Sequence, residues 1–234
     1  MKRILLLLPL LYGSIALAQA EGFVKPDFEA IEKNVTNPKS HLYFKNLMAR
    51  YEAADSTMTI EEKRSLYYGY SFTDQYAPYV SSGVLSQLRE ILNRESPTPA
   101  DLKKILMYTG VALEQFPFSL RLKEYRIYCM KQLGMVHEAR KEQAQATIII
   151  DAILSTGDGI GKETPFYVIN TMNEYEVVNI LGFELGGQQE LVDHKFDYLS
   201  LANNSYELGG LYFDVSRSLA ALRSAGSGTA VLEE

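Results

Sequence analysis

The stretch Tyr67-Tyr68-Gly69-Tyr70-Ser71-Phe72, followed by Tyr76-Ala77-Pro78-Tyr79, is the densest aromatic constellation in the chain. A tyrosine carries a flat apolar ring and a polar tip, so such a run suits stacking against a sugar ring or a peptide. On that reading Tyr68, Tyr70, Tyr76 and Tyr79 are the candidate ligand-binding residues. The same spacing also suits the seam between packed helices, where Gly69 admits a close neighbour.

Acid-base chemistry has two candidate clusters. Asn173-Glu174-Tyr175-Glu176 places two carboxylates close together, and Asp193-His194 with Asp197 supplies an acid, a base and an orienting group. If His194 to Tyr198 is a strand, Asp193 and Asp197 share one face and His194 takes the other, which weakens a triad. A hydrolase working through Glu174, Glu176, Asp193 or His194 requires at least two of them to converge in a concave pocket. Solvated surface charge is the default reading of all four.

The glycine loop Gly157-Asp158-Gly159-Ile160-Gly161-Lys162 invites comparison with a phosphate loop. Its spacing is wrong, Glu163 follows the lysine where a hydroxyl residue belongs, and the local order is helix, loop, strand. It reads as a helix cap with a linking turn. The chain contains no Gly-x-Ser-x-Gly and no His-Glu-x-x-His motif. His41, His137 and His194 are scattered, and Cys129 is the sole cysteine, in a helical pattern that buries it as a small hydrophobe. No catalytic residue, metal ligand or cofactor is assigned.

The first twenty residues, MKRILLLLPLLYGSIALAQA, combine a basic start, an apolar run and a small-x-small site at Ala18-Gln19-Ala20. This is the pattern of a cleaved export signal, too short and too interrupted by Pro9 for a spanning helix. No cysteine stands at the cleavage site to take a lipid. Export to the periplasm or beyond is expected, as a soluble chain with no membrane insertion after cleavage. The remaining 214 residues carry 21 basic and 29 acidic side chains, a net charge of −8. Nucleic-acid binding needs clustered Lys and Arg, so it is not expected. One cysteine excludes an intramolecular disulfide, so stability must come from packing. The expected partner is an envelope protein, or a peptide or glycan ligand.

The elements that must position these residues divide at about Thr156. Helical periodicity runs through Asp27 to Lys33 and His41 to Ala54. Thr59-Ile60-Glu61-Glu62 reads as a capping box opening a helix to about Tyr70. Thr98-Pro99-Ala100-Asp101 opens another, which Pro117 stops. Ser119 caps the next, with Leu122, Tyr125, Cys129 and Leu133 as its stripe, and Gly134 ends it. A further helix spans Val136 to Ser155.

This run resembles tetratricopeptide helix pairs at their 34-residue period, with Ala112 and Ala146 one period apart and Ala139, Pro117 and Gly134 in register. Ile105, Thr109 and Gln143 depart from that pattern.

Beyond the glycine loop, Pro165 to Ile169, Gln188 to Val192, Lys195 to Leu201 and Gly210 to Val215 read as strands, the last two as a hairpin. Asn173 to Gly182 reads either as a short helix that Asn173 caps or as a strand, the helix being favoured, with Ser216 to Leu222 a closing helical turn and a frayed Gly/Ser-rich end.

The tyrosine run, Ser155-x-Gly157-Asp158-Gly159, Asn173-Glu174-Tyr175 and Leu211-Tyr212-Phe213-Asp214-Val215 together resemble a domain-of-unknown-function family, family 4919, of exported Bacteroidetes proteins. The resemblance covers nearly the whole mature chain. It implies an envelope or secreted location and carries no activity. The expected architecture is α+β: a signal at 1–20, helical hairpins at 21–156, a small, mainly antiparallel sheet at 157–222 packed against them, and a flexible tail at 223–234. A non-enzymatic binding or scaffold module is the leading expectation; a hydrolase of envelope peptides or glycans and a structural edge-pairing protein are the alternatives.

Overall fold

The computed structural model describes residues 22–77, 83–94 and 96–229, with 224–229 described by backbone alone. Seven helices come first: α1 (Phe28–Val35), α2 (Phe44–Glu52), α3 (Ile60–Gly69), α4 (Gly83–Leu92), α5 (Pro99–Gln115), α6 (Leu120–Gln132) and α7 (Val136–Leu154). A 3₁₀ turn, Tyr70–Phe72, follows α3. Then come β1 (Phe166–Tyr167), α8 (Met172–Ile180), β2 (Leu185–Val192), β3 (Phe196–Leu201), β4 (Gly210–Asp214) and α9 (Ser216–Thr229). The class is α+β. The export signal read at 1–20 lies outside the described residues. Among the described residues no helix is long and apolar enough to cross a membrane.

Helix starts follow their side-chain caps. Asp27 accepts from the Ala30 amide, and Thr59 and Thr98 form reciprocal capping boxes with Glu62 and Asp101. Gly134, at φ 75°, takes the left-handed turn that ends α6. α4 has no counterpart in the sequence reading. Its buried residues Leu88 and Ile91 make a stripe too short to separate from a loop by periodicity. α8 begins at Met172, so Asn173 sits buried inside its first turn instead of capping it. α9 runs past Leu222 to Thr229, so 223–229 are helical where a flexible tail is expected. Glycine weakens a helix interior by about 1 kcal/mol without forbidding it.

The sheet order is β1-β4-β3-β2. β3 pairs antiparallel with both β2 and β4, and the β3–β4 hairpin matches the sequence reading. β1 runs parallel to β4, which makes the sheet mixed. A parallel neighbour needs a long crossover, and here α8 with the β2–β3 hairpin supplies it.

Two hydrophobic clusters hold the chain together. The larger draws on α1, α2, α3, α7, β1, α8, β3 and β4, so the helical and sheet regions share one core. The smaller lies among α4, α5 and α6, around Leu88, Ile91, Leu102, Ile105, Ala112, Leu122 and Cys129. α6 stands between them: Leu120 belongs to the larger cluster, Leu122 and Cys129 to the smaller. A helix buried on two sides has no single apolar stripe, and accordingly Lys123 is buried while Tyr125 is half-exposed.

Candidate binding groove

Of the four tyrosines read as an aromatic platform, the three described ones, Tyr68, Tyr70 and Tyr76, act as staples. The Tyr68 ring is 0% exposed and its hydroxyl donates to the Tyr167 carbonyl at 3.0 Å. Tyr70 is 1% exposed, with its hydroxyl on the Gln115 and Gln75 carbonyls at 3.0 and 3.1 Å. Tyr76 is half-buried and donates to the Ile169 carbonyl at 2.6 Å. Tyr68 and Tyr70 therefore offer no ring face for a ligand to stack on. Tyr79 lies outside the described residues. The physical reason is local: the accepting carbonyls lie where a helix or strand ends, at Gln115, Tyr167 and Ile169, and lack a regular backbone partner, so the phenols supply the donor. Burial pushes the Tyr67 and Tyr68 hydroxyls well above the ordinary tyrosine range and Tyr70 up to about 12, so all three remain protonated donors.

The four acid-base candidates do not converge in a pocket. Glu176 is buried at the start of α6, accepting from Ser119 Oγ at 2.9 Å and from the Leu120 and Arg121 amides at 3.1 and 2.8 Å. Asn173 Nδ2 donates to it as well, at 2.6 Å. It is a carboxyl cap of a helix N-terminus contributed from another helix. Glu174 is 0% exposed and lies against Asp197 of β3. Burial first, then the neighbouring Asp197 carboxylate, push its carboxyl up to about 10, and neither of its oxygens has a hydrogen-bond partner among the described residues. Asp193 and His194 are exposed in the β2–β3 turn at φ 54° and 52°, with Asp193 paired to Lys162 at 2.8 Å.

The glycine loop is likewise structural. A Cβ at Gly157 would stand 2.2 Å from the Thr164 carbonyl oxygen, and Gly159 holds φ 71° beside the Phe166 ring. Asp158 Oδ1 closes the loop by accepting from the Ile160 amide and Thr164 Oγ1. Among the described residues no group of His, Cys, Asp and Glu could hold a metal ion.

What the structure does assemble is a groove of about 440 Å³ between the two clusters, within the size range of ligand sites. Phe44, Met48, Tyr51 and Glu52 of α2 and Tyr70 form one wall; Gly110, Leu113 and Glu114 of α5 form the other. Lys123 and Arg126 of α6 face Glu142 and Gln145 of α7 across the floor. Lys123 Nζ donates to Glu142 Oε2 at 3.0 Å and Gln145 Oε1 at 2.8 Å, and lies 5.2 Å from the Tyr51 ring centre. Arg126 donates through Nε to Glu142 and through Nη1 to the Leu106 carbonyl at 2.9 Å. Gln145 Nε2 donates to the Tyr51 and Glu52 carbonyls at 3.1 and 3.2 Å. Burial drives the Lys123 ammonium below its ordinary range, and Glu142 opposes that shift. For Glu142 the two cations outweigh burial and hold the carboxyl low.

Sequence reasoning missed this floor. Lys123 with Arg126, and Glu142 with Gln145, repeat at a three-residue step on adjacent helices. That spacing was the available signal, but it is equally the spacing of a solvated charged face.

No curated protein and no solved structure matches the chain. A family model described as "Domain of unknown function (DUF4919)" matches residues 29–224. That span takes in every described helix and strand except the ends of α1 and α9, and it contains both the groove and the tyrosine staples. The chain belongs to the DUF4919 family.

Proposed function

We propose that the protein is a non-enzymatic binding module of the bacterial envelope, and that its site is the groove between α2, α5, α6 and α7. The observation that carries this reading is the groove's position at the junction of two separate hydrophobic clusters, where ligand sites tend to form. Its floor is a set of charges already tied to one another by hydrogen bonds, which suits a preformed recognition surface better than acid-base chemistry. Export rests on the first twenty residues.

Gly110 gives a clean test. A Cβ there meets Arg126 Nη1 at 3.5 Å, an ordinary contact, and nothing else within 4 Å. Gly110→Phe should keep the fold while filling the groove. Peptides from a bacterial envelope digest that the wild-type chain retains should pass the variant unretained. Equal retention by a folded Gly110→Phe chain removes the groove as the site.

A second reading, pairing through the sheet edge, has one observation in its favour: all but the last residue of β2, the edge strand, are exposed. The register break at Gly186-Gly187 and the charge of Glu190 oppose it. A monomer by light scattering at high concentration would dismiss it.

A further inference from the structure

The groove's rim indicates what it takes, and this inference rests on the groove being the site. Glu52 ends α2 and Glu114 lies in the last turn of α5, on opposite walls. Both side chains are exposed, and among the described residues neither makes an ion pair. Both helices end at the groove with terminal carbonyls already accepting from Gln145 and Tyr70, so the negative charge there is that of the two glutamates. On the floor, Lys123, Arg126 and Glu142 leave one net positive charge, buried under the Tyr51 ring and tied to carbonyl oxygens.

Between rim and floor the walls are apolar. Phe44 and Met48 stand on successive turns of α2, facing Leu113. An arriving molecule thus meets two uncompensated carboxylates first, and an apolar slot beneath them. A whole-chain net charge of −6 points the same way.

We infer that the groove binds a basic peptide segment, its apolar side chains between Phe44 and Leu113 and its Lys or Arg side chains over Glu52 and Glu114. The floor charge keeps the basic groups at the rim. An acidic segment meets both rim carboxylates with the wrong sign.

The test uses the full mature chain and a labelled peptide alternating leucine with lysine, against its counterpart with every lysine replaced by glutamate. The lysine peptide should bind, weakening with added salt, and the glutamate peptide should not. The double variant Glu52→Gln/Glu114→Gln, at exposed positions that leave the fold intact, should weaken binding by about three- to tenfold and flatten its salt dependence. Equal binding of both peptides, or a double variant indistinguishable from wild type, overturns the basic-ligand assignment while Gly110→Phe still reports on the groove. If Gly110→Phe binds the lysine peptide as wild type does, the groove itself is lost along with the inference.

Discussion

The Tyr67 hydroxyl donates to Asn173 Oδ1 at 2.8 Å and accepts from the Ile169 amide at 3.3 Å, joining α3 to the entry of α8 inside the core. Asn173 in turn reaches the Phe118 carbonyl and Glu176, which caps α6. One phenol therefore ties together three segments that lie far apart in sequence.

Tyr67→Phe keeps the ring and removes that tie, leaving a buried carbonyl oxygen and a buried amide without a partner. The loss should be about 1–3 kcal/mol by urea denaturation, because a dry polar group left unpaired costs its full desolvation. A change near zero would mean that Asn173 and Ile169 find other partners.

Glu174 makes stability depend on pH with a definite sign. Its carboxyl titrates at about 10 in the fold against 4.5 ordinarily. Between those values the folded chain holds a proton that the unfolded chain has released, so stability falls as pH rises through the window. The slope from this one group is at most about 1.4 kcal/mol per pH unit. Glu174→Gln has nearly the same shape and binds no proton, so its advantage over wild type should widen steadily from pH 5 to pH 9. Parallel melting curves across that range would refute the raised Glu174 carboxyl.

Glu142→Gln strands the buried Lys123 and takes a carboxylate from Arg126. Removing one partner of a buried ion pair costs about 3–5 kcal/mol, more than exchanging both partners for apolar residues. The double variant Lys123→Met/Glu142→Leu should therefore melt above Glu142→Gln. The reverse order in calorimetry would show that the Lys123 charge is not what needs compensation.

Gly69 lets α3 lie against α1. A Cβ there would come within 2.7 Å of Val35 Cγ1, so Gly69→Ala should cost about 1–3 kcal/mol through overpacking. Adding Val35→Ala opens the space, and the double variant should cost less than the sum of the singles. Strict additivity would place the strain elsewhere.

Most of the helix boundaries were legible because they are local events: Asp27, Thr59, Thr98 and Ser119 each accept from the amide three residues on, and Gly134 takes a left-handed φ. The β3–β4 hairpin was legible for the same reason, from turn residues between two alternating runs. The strand at β1 was legible too, but its parallel pairing with β4 was not, since that partner lies more than forty residues away and no local signal specifies it.

The candidate site divides along the same line. Sequence by itself determined the α+β class, most of the helices, the acidic balance and the pattern of an export signal, because each is written in composition or in short-range spacing. Tertiary structure alone decided that the tyrosines are buried staples, that Glu176 caps a helix it does not belong to, and that Lys123 and Glu142 meet under a groove. Burial of a polar side chain depends on what the distant chain brings over it, and neither residue type nor helical period encodes that neighbour.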